Sequence, residues 1–226
     1  MKKCLIYIYL LLLTSLCCLQ AGAVSSEIRS LSVSDGLPDL IINTIYKDSK
    51  GYVWMGTNTS VERFDGIRLE HYMVEGSNEN LKRVFALVEM PGNELWVGTG
   101  MGLFRLADDA EKLERLAPEM ITSGVHAFCK LGDVLYVGTE KGLYVYKGGV
   151  FEHVLVDKNI FSRANFVTGM VEGENGILWL STMGGLKSLR LSDQSITSFS
   201  DKLAKNGQHL SFYNSTRIGS NIFMGK

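Results

Sequence analysis

The chain repeats itself at long, even intervals, and this limits what it can become more than any other feature. An apolar run built around one aromatic residue appears as Val53-Trp54-Met55-Gly56-Thr57, Leu95-Trp96-Val97-Gly98-Thr99, Leu135-Tyr136-Val137-Gly138-Thr139 and Leu178-Trp179-Leu180-Ser181-Thr182. It opens once more as Ile222-Phe223-Met224-Gly225. The anchors Trp54, Trp96, Tyr136, Trp179 and Phe223 are 42, 40, 43 and 44 residues apart. Such a period marks a repeat architecture in which a unit buries its apolar face against the next unit.

Each anchor sits in the same package. An alternating apolar run precedes it (Ile42 to Tyr46, Val84 to Val88, Val125 to Phe128, Val167 to Val171). A glycine turn links that run to the anchor. A third run follows (Phe104 to Leu106, Tyr144 to Tyr146, Lys187 to Leu191), and a fourth closes the unit (Arg68 to Val74, Lys112 to Leu116, Val150 to Val156, Ser195 to Phe199). Short period-two runs bounded by glycine, asparagine and aspartate read as strands. Four strands in roughly 40–45 residues make a β-propeller blade. Leucine-rich repeats are about half as long, and paired-helix repeats would not tolerate a glycine at every turn. The fold class is therefore all-β: about four four-stranded blades plus the start of a fifth, forming an open arc. The aromatic anchor is expected to fill the wedge between blades. The glycine after it is expected to let the chain leave the strand.

Residues 1–23 read as a targeting segment. Lys2 and Lys3 give a positive start, Leu5 to Leu16 is nearly all apolar, and Ala21-Gly22-Ala23 offers small residues for cleavage. The expectation is an N-terminal signal helix and a propeller domain over 24–226, with an uncleaved anchor as the alternative. Removal of the leader takes away Cys4, Cys17 and Cys18 and leaves Cys129 alone, so no internal disulfide can form. Cys129 is expected as a small core residue. The formal net charge of −1 gives no basic field for nucleic acid or lipid. Ile28 to Val33 lies as far before Trp54 as the fourth runs lie before the later anchors, so it reads as a fourth strand without a blade of its own. The fifth package breaks off inside its anchor strand, which reads as a piece of a longer propeller.

Asp35-Gly36-Leu37-Pro38, Ile45-Tyr46-Lys47-Asp48, Gly51-Tyr52-Val53-Trp54-Met55-Gly56-Thr57 and Arg63-Phe64-Asp65-Gly66 together resemble two-component regulator propellers. These are periplasmic sensor regions of hybrid two-component systems of the Bacteroides type. Ser60 departs from the pattern, standing where glycine is usual. The resemblance implies seven-bladed rings, a following β-sandwich and membrane helix, and cytoplasmic kinase, receiver and DNA-binding domains. It also implies a homodimeric whole protein held at the inner membrane. The sensing of oligosaccharides released from glycans, to control polysaccharide-utilisation genes, is implied in the same way.

His71 and His153 each lie 17 residues after an anchor, in blades that are not neighbours, so they cannot share a metal and read as surface residues. His126 and His209 fall where a ligand could be reached. No catalytic triad, phosphate loop, cofactor or metal set is evident. Gly100-Met101-Gly102 joins two strands, and Asp108-Asp109, Glu172 and Glu174 read as solvated turns. Asp65-Gly66 is a hairpin signal. The long inter-blade connections (Asp35 to Ile42, Glu75 to Arg83, Pro118 to Gly124, Asp157 to Asn165, Asp201 to Ser211) share one end of the arc. They and the nearby first strands supply the candidate ligand residues Asn78, Asn80, Arg83, His126, Arg163 and Asn165. The expected function is a non-catalytic periplasmic sensor. Its expected partners are the remaining blades, the following domains and an oligosaccharide, with no nucleic-acid contact. A structural scaffold and a propeller lyase or hydrolase are the alternatives, the latter disfavoured because the first strands offer few titratable groups.

Overall fold

The computed structural model describes residues 30–74, 81–199, 211–212, 214–219 and 221–225. The expected leader helix at 1–23 lies outside them. The chain divides into two units, Met1–Leu31 and Ser32–Lys226. In the first, only Ser30 and Leu31 are described, and neither is in regular secondary structure.

The second unit is all-β. Blade 1 comprises β1 (Thr44–Lys47), β2 (Val53–Gly56), β3 (Val61–Phe64) and β4 (Leu69–Tyr72). Blade 2 comprises β5 (Val84–Met90), β6 (Glu94–Thr99), β7 (Gly102–Leu106) and β8 (Glu114–Arg115). Blade 3 comprises β9 (Val125–Leu131), β10 (Val134–Thr139), β11 (Gly142–Lys147) and β12 (Val150–Val154). Blade 4 comprises β13 (Val167–Glu172), β14 (Ile177–Thr182), β15 (Gly185–Arg190) and β16 (Ile196–Ser198). A two-stranded sheet of β17 (Asn214–Ile218) and β18 (Asn221–Gly225) follows. Within each sheet the strands pair antiparallel in chain order. The first strands touch one another in succession, β1 to β5 to β9 to β13 to β17, and so form the inner edge of an open arc.

Each wedge between blades has its own apolar core. Trp54 and Tyr72 of blade 1 pack with Leu87, Leu95, Val97 and Phe104 of blade 2. Trp96 and Leu103 of blade 2 pack with Val125, Leu135, Val137 and Tyr144 of blade 3. Leu143 and Val156 of blade 3 pack with Val167, Met170, Leu178 and Leu180 of blade 4. Trp54 and Trp96 fill their wedges, and Tyr136 packs against the third core while half-buried. Burying a large apolar side chain contributes about 1.5–3 kcal/mol. The buried indoles keep their N–H groups bonded: Trp54 Nε1 donates to Asp48 Oδ2 at 2.7 Å and Trp96 Nε1 to Glu94 Oε2 at 3.2 Å.

The glycine after each anchor has a different reason from the one expected. Gly56, Gly98 and Gly138 stay within their strands. A Cβ on Gly56 would lie 2.5 Å from Val84 Cγ1, on Gly98 2.8 Å from Val125 Cγ1, and on Gly138 2.8 Å from Val167 Cγ1. The valine that opens each blade is seated on the glycine of the blade before it. The threonine that follows builds the turn. Thr99, Thr139 and Thr182 donate Oγ1–H to the carbonyls of Gly102, Gly142 and Gly185, and accept from the amides of Met101, Lys141 and Gly184. In blade 1, Ser60 completes the same turn with Thr57.

Two expected strands are altered. Ser30 to Val33 forms no strand; Val33–Asp35 is a single 3-10 turn, capped where the Ser32 amide donates to Asp35 Oδ2 at 2.9 Å. A fourth strand needs a third strand to pair with, and β3, β7, β11 and β15 already have theirs. The run from Lys112 to Leu116 yields only two strand residues. Leu113 turns inward instead, bridging to Val74 of blade 1, with its amide donating to Met73 O at 2.9 Å. It thereby laces two blades together.

Candidate ligand-binding groove

A groove of about 570 Å³ runs along the inner edge of the arc, formed by the first strands. Its side chains arrive there by one device. In β5, β9 and β13 the register slips by one residue between Val84 and Ala86, near Val125 and Ala127, and between Val167 and Gly169. A β-bulge leaves one residue unpaired and re-aims its side chain. The residues so placed are Phe85, His126 and Thr168. In blade 1, Asn43 precedes β1 at the matching place, its amide donating to Gly56 O at 2.8 Å. All four line the groove.

The groove has an aromatic row. His126 lies between Phe85, at a ring-centroid distance of 4.1 Å, and Phe166, at 4.7 Å. The Arg83 guanidinium sits 5.8 Å from the Phe85 centroid. His126 Nε2 is 3.1 Å from Glu140 Oε1, in the turn after β10. Burial lowers the pKa of His126, and this outweighs the nearby Glu140 carboxylate, which favours the protonated form. The imidazole is therefore held neutral at pH 7. Gly124 makes room for the pair: a Cβ there would be 2.7 Å from Glu140 Oε1 and 3.1 Å from His126 Nε2.

Of the ligand residues expected from sequence, Arg83 and His126 meet in this groove. Asn165 does not take part. It is buried, accepts from the Asp157 amide through Oδ1, and donates through Nδ2 to the carbonyls of Asp157 and Asn159. All of its amide contacts hold its own loop in shape. Arg163 lies in the adjoining 3-10 turn and is exposed. Asn78, Asn80 and His209 lie outside the described residues. Phe85, Phe166 and Thr168 were not singled out from sequence. A signal exists in the recurrence of valine, one variable residue and a small residue: Val84-Phe85-Ala86, Val125-His126-Ala127, Val167-Thr168-Gly169.

Other polar groups singled out from sequence make contacts within the fold. His71 and His153 occupy matching register positions, opposite Glu62 and Tyr144. His71 Nδ1 is 2.8 Å from Glu62 Oε1, and His153 stacks on Tyr144 with Nε2 2.8 Å from Lys141 O. Asp108 is more than a solvated turn, for it joins blades through Lys50 Nζ at 2.7 Å. Asp65 closes its hairpin by accepting from the Ile67 and Arg68 amides. Cys129 is half-buried, and burial pushes its thiol up to about 11, which keeps it protonated and unreactive.

Comparison with known proteins agrees with the propeller fold. The family model described as two component regulator propeller matches residues 36–59. No match is found among curated proteins. Among solved structures, the extracellular domain of a hybrid two component system from B. thetaiotaomicron is similar with a TM-score of 0.70 at 20% identity, over 87% of this chain and 29% of that one. A catalytically inactive virginiamycin B lyase from Staphylococcus aureus, solved with quinupristin, has a TM-score of 0.66 at 16% identity, over 90% and 68%. An ancestral GH74 enzyme has a TM-score of 0.57 at 16% identity, over 77% and 25%. The chain spans 23% to 29% of the length of the B. thetaiotaomicron extracellular domains it matches. It is a propeller-type domain, similar in fold to Bacteroides two component sensor propellers and to catalytic propellers alike.

This likeness corrects the expectation that the chain is not an enzyme. Its fold is shared with lyases and a glycoside hydrolase about as closely as with sensors, and fold alone does not separate those functions. The reason given from sequence, that the first strands carry too few titratable groups, overlooked the bulges. They bring His126 into the groove, beside Arg83. Among the described residues no helix is long and apolar enough to cross a membrane.

Proposed function

We propose that this chain is the ligand-recognising propeller of a hybrid two-component signalling protein, and that the inner-edge groove takes an oligosaccharide. The observation that carries this reading is the convergence of bulge side chains from successive blades on one groove with an aromatic floor. Aromatic rings offer apolar faces to sugar C–H groups, while Asn43 and Arg83 offer partners to hydroxyls. The match of residues 36–59 to the regulator-propeller model and the likeness to a B. thetaiotaomicron sensor domain support it.

On this reading residues 1–23 export the chain, and 24–226 belong to a seven-bladed ring on the periplasmic side of the inner membrane. The whole protein is a homodimer whose later domains carry the signal to polysaccharide-utilisation genes. Ligand acts by binding one arrangement of the domains more tightly than the other. A glycan array followed by calorimetry tests this. Saturable binding that is lost in both His126→Ala and Phe166→Ala is expected. An array without a binder, or binding unchanged in both variants, would contradict it.

A second reading, catalysis on the bound saccharide, is supported by the His126–Glu140 pair at the groove and by the likeness of fold to a lyase propeller. Chain shortening or unsaturated products in the same titrations would establish it. Intact glycan after long incubation would remove it.

A further inference from the structure

The groove carries one formal charge. Among its described lining residues Arg83 is the only side chain ionised at pH 7; the others are aliphatic, aromatic, amide or hydroxyl, together with His126. No carboxylate is among its described lining residues, although Glu140 stands next to the row with Oε1 3.1 Å from His126 Nε2. Elsewhere on the surface, Arg63, Arg105 and Arg190 are each paired with a carboxylate, while Arg115 and Arg217 donate to backbone carbonyls. Arg83 makes no such pair among the described residues. Its Nε reaches Asn58 Oδ1 only at 3.4 Å, which leaves its terminal N–H groups for a ligand.

The root of this side chain is fixed. Arg83 has φ 72° and Lys82 has φ 49°, a left-handed pair that neither residue adopts readily. The conformation is held from both sides: the Arg83 amide donates to Asn58 O at 2.7 Å, and its carbonyl accepts from the Gly100 amide at 3.0 Å. The turns of blades 1 and 2 thus clamp the backbone, and the guanidinium lies at the end of the Phe85–His126–Phe166 row.

We propose that the groove reads an anionic saccharide, with a carboxylate or sulfate group paired to Arg83 and a sugar ring laid on the adjoining aromatic row. A planar guanidinium presents two parallel N–H donors to such an oxyanion, and a charge-assisted pair is roughly twice as strong as a neutral hydrogen bond. The inference rests on the groove being the recognition site and adds the charge of what it recognises. Uronates and sulfated sugars share the required chemistry, so the probes must separate them.

Calorimetric titration of the full chain with three probes tests the proposal: an unsulfated chondroitin hexasaccharide, the same hexasaccharide after reduction of its carboxyl groups, and a sulfated galactan oligosaccharide without uronate. At least one anionic probe is expected to bind at least about tenfold more tightly than the reduced one, with affinity falling as salt rises. Arg83→Gln should lose about tenfold or more for that probe, and Arg83→Lys should retain part of the affinity; unchanged thermal unfolding of both variants would show that the fold is kept. Equal binding of the anionic and reduced forms, or an Arg83→Gln variant that binds like the native chain, would overturn the anionic preference and leave the groove as a neutral-sugar site. Failure of all three probes, with no neutral glycan bound either, would overturn both readings.

Discussion

Trp96 and Phe223 hold the same position in their repeats, yet one is buried and the other is not. Trp96 is 3% exposed, enclosed by Tyr144 and Leu135 of the following blade. Phe223 is 52% exposed. Between these extremes, Trp54 is buried, while Tyr136 and Trp179 are half-buried. The local sequence around each anchor is nearly the same, so the difference does not come from within the blade. Trp54 and Trp96 are buried against the blade that follows each, and Tyr136 packs on the core it shares with blade 4. The stability of such an array is a sum of terms within repeats and between neighbours, and the terms between neighbours are where the anchors act.

The most severe way to strain this comparison is to truncate the two anchors. In urea unfolding of the 226-residue chain, Trp96→Ala should cost about 3–5 kcal/mol, whereas Phe223→Ala in the same chain should stay within about 0.5 kcal/mol. Equal losses would mean that the wedge is not what buries the ring. Next in size is the glycine seat. Gly138→Ala should cost about 1–3 kcal/mol through overpacking against Val167. Val167→Ala should recover part of that loss in the double variant, since residues in contact do not add independently. A smaller effect is expected for Thr139→Val, which removes the hydroxyl that ties Gly142 O to the Lys141 amide; about 1 kcal/mol should be lost.

His126 sharpens the comparison by pH. Its pKa is lower in the folded chain than the ordinary value near 6.5, mainly through burial. The unfolded chain therefore binds the proton first as pH falls. The stability contributed by the neutral imidazole is present above the unfolded value and is lost as pH drops through the folded one. Thermal melts from pH 7.5 to 5 should show a fall in Tm that is shallower in His126→Gln. The smallest effect belongs to Lys50→Ala. The Lys50–Asp108 pair is solvent-exposed, so its removal should leave the urea midpoint unchanged at physiological salt.

The sequence made the blades legible because their signal is periodic. Anchors, glycines and alternating runs recur, and the four-stranded sheets follow them closely. The strand expected at Ile28 to Val33 failed over its described part because spacing identifies a position but does not supply a partner edge. The inward turn of Leu113 was hidden for a similar reason: its partner, Met73, belongs to another blade. At the groove, Arg83 and His126 were legible as polar residues near loops. Phe85, Phe166 and Thr168 were not, because a bulge reverses the alternation by which inward and outward residues are told apart. Asn165 was misleading because an asparagine in a loop looks the same in sequence whether its amide meets a ligand or its own backbone.

Amide hydrogen exchange along the anchor strands tests most directly whether each blade is held by the next. In the 226-residue chain, protection should be high across β2 and β6, intermediate in β10 and β14, and low in β18, following the burial of Trp54, Trp96, Tyr136, Trp179 and Phe223. Protection in β18 equal to that in β6 would contradict this, since it would place the stability of each sheet within its own strands.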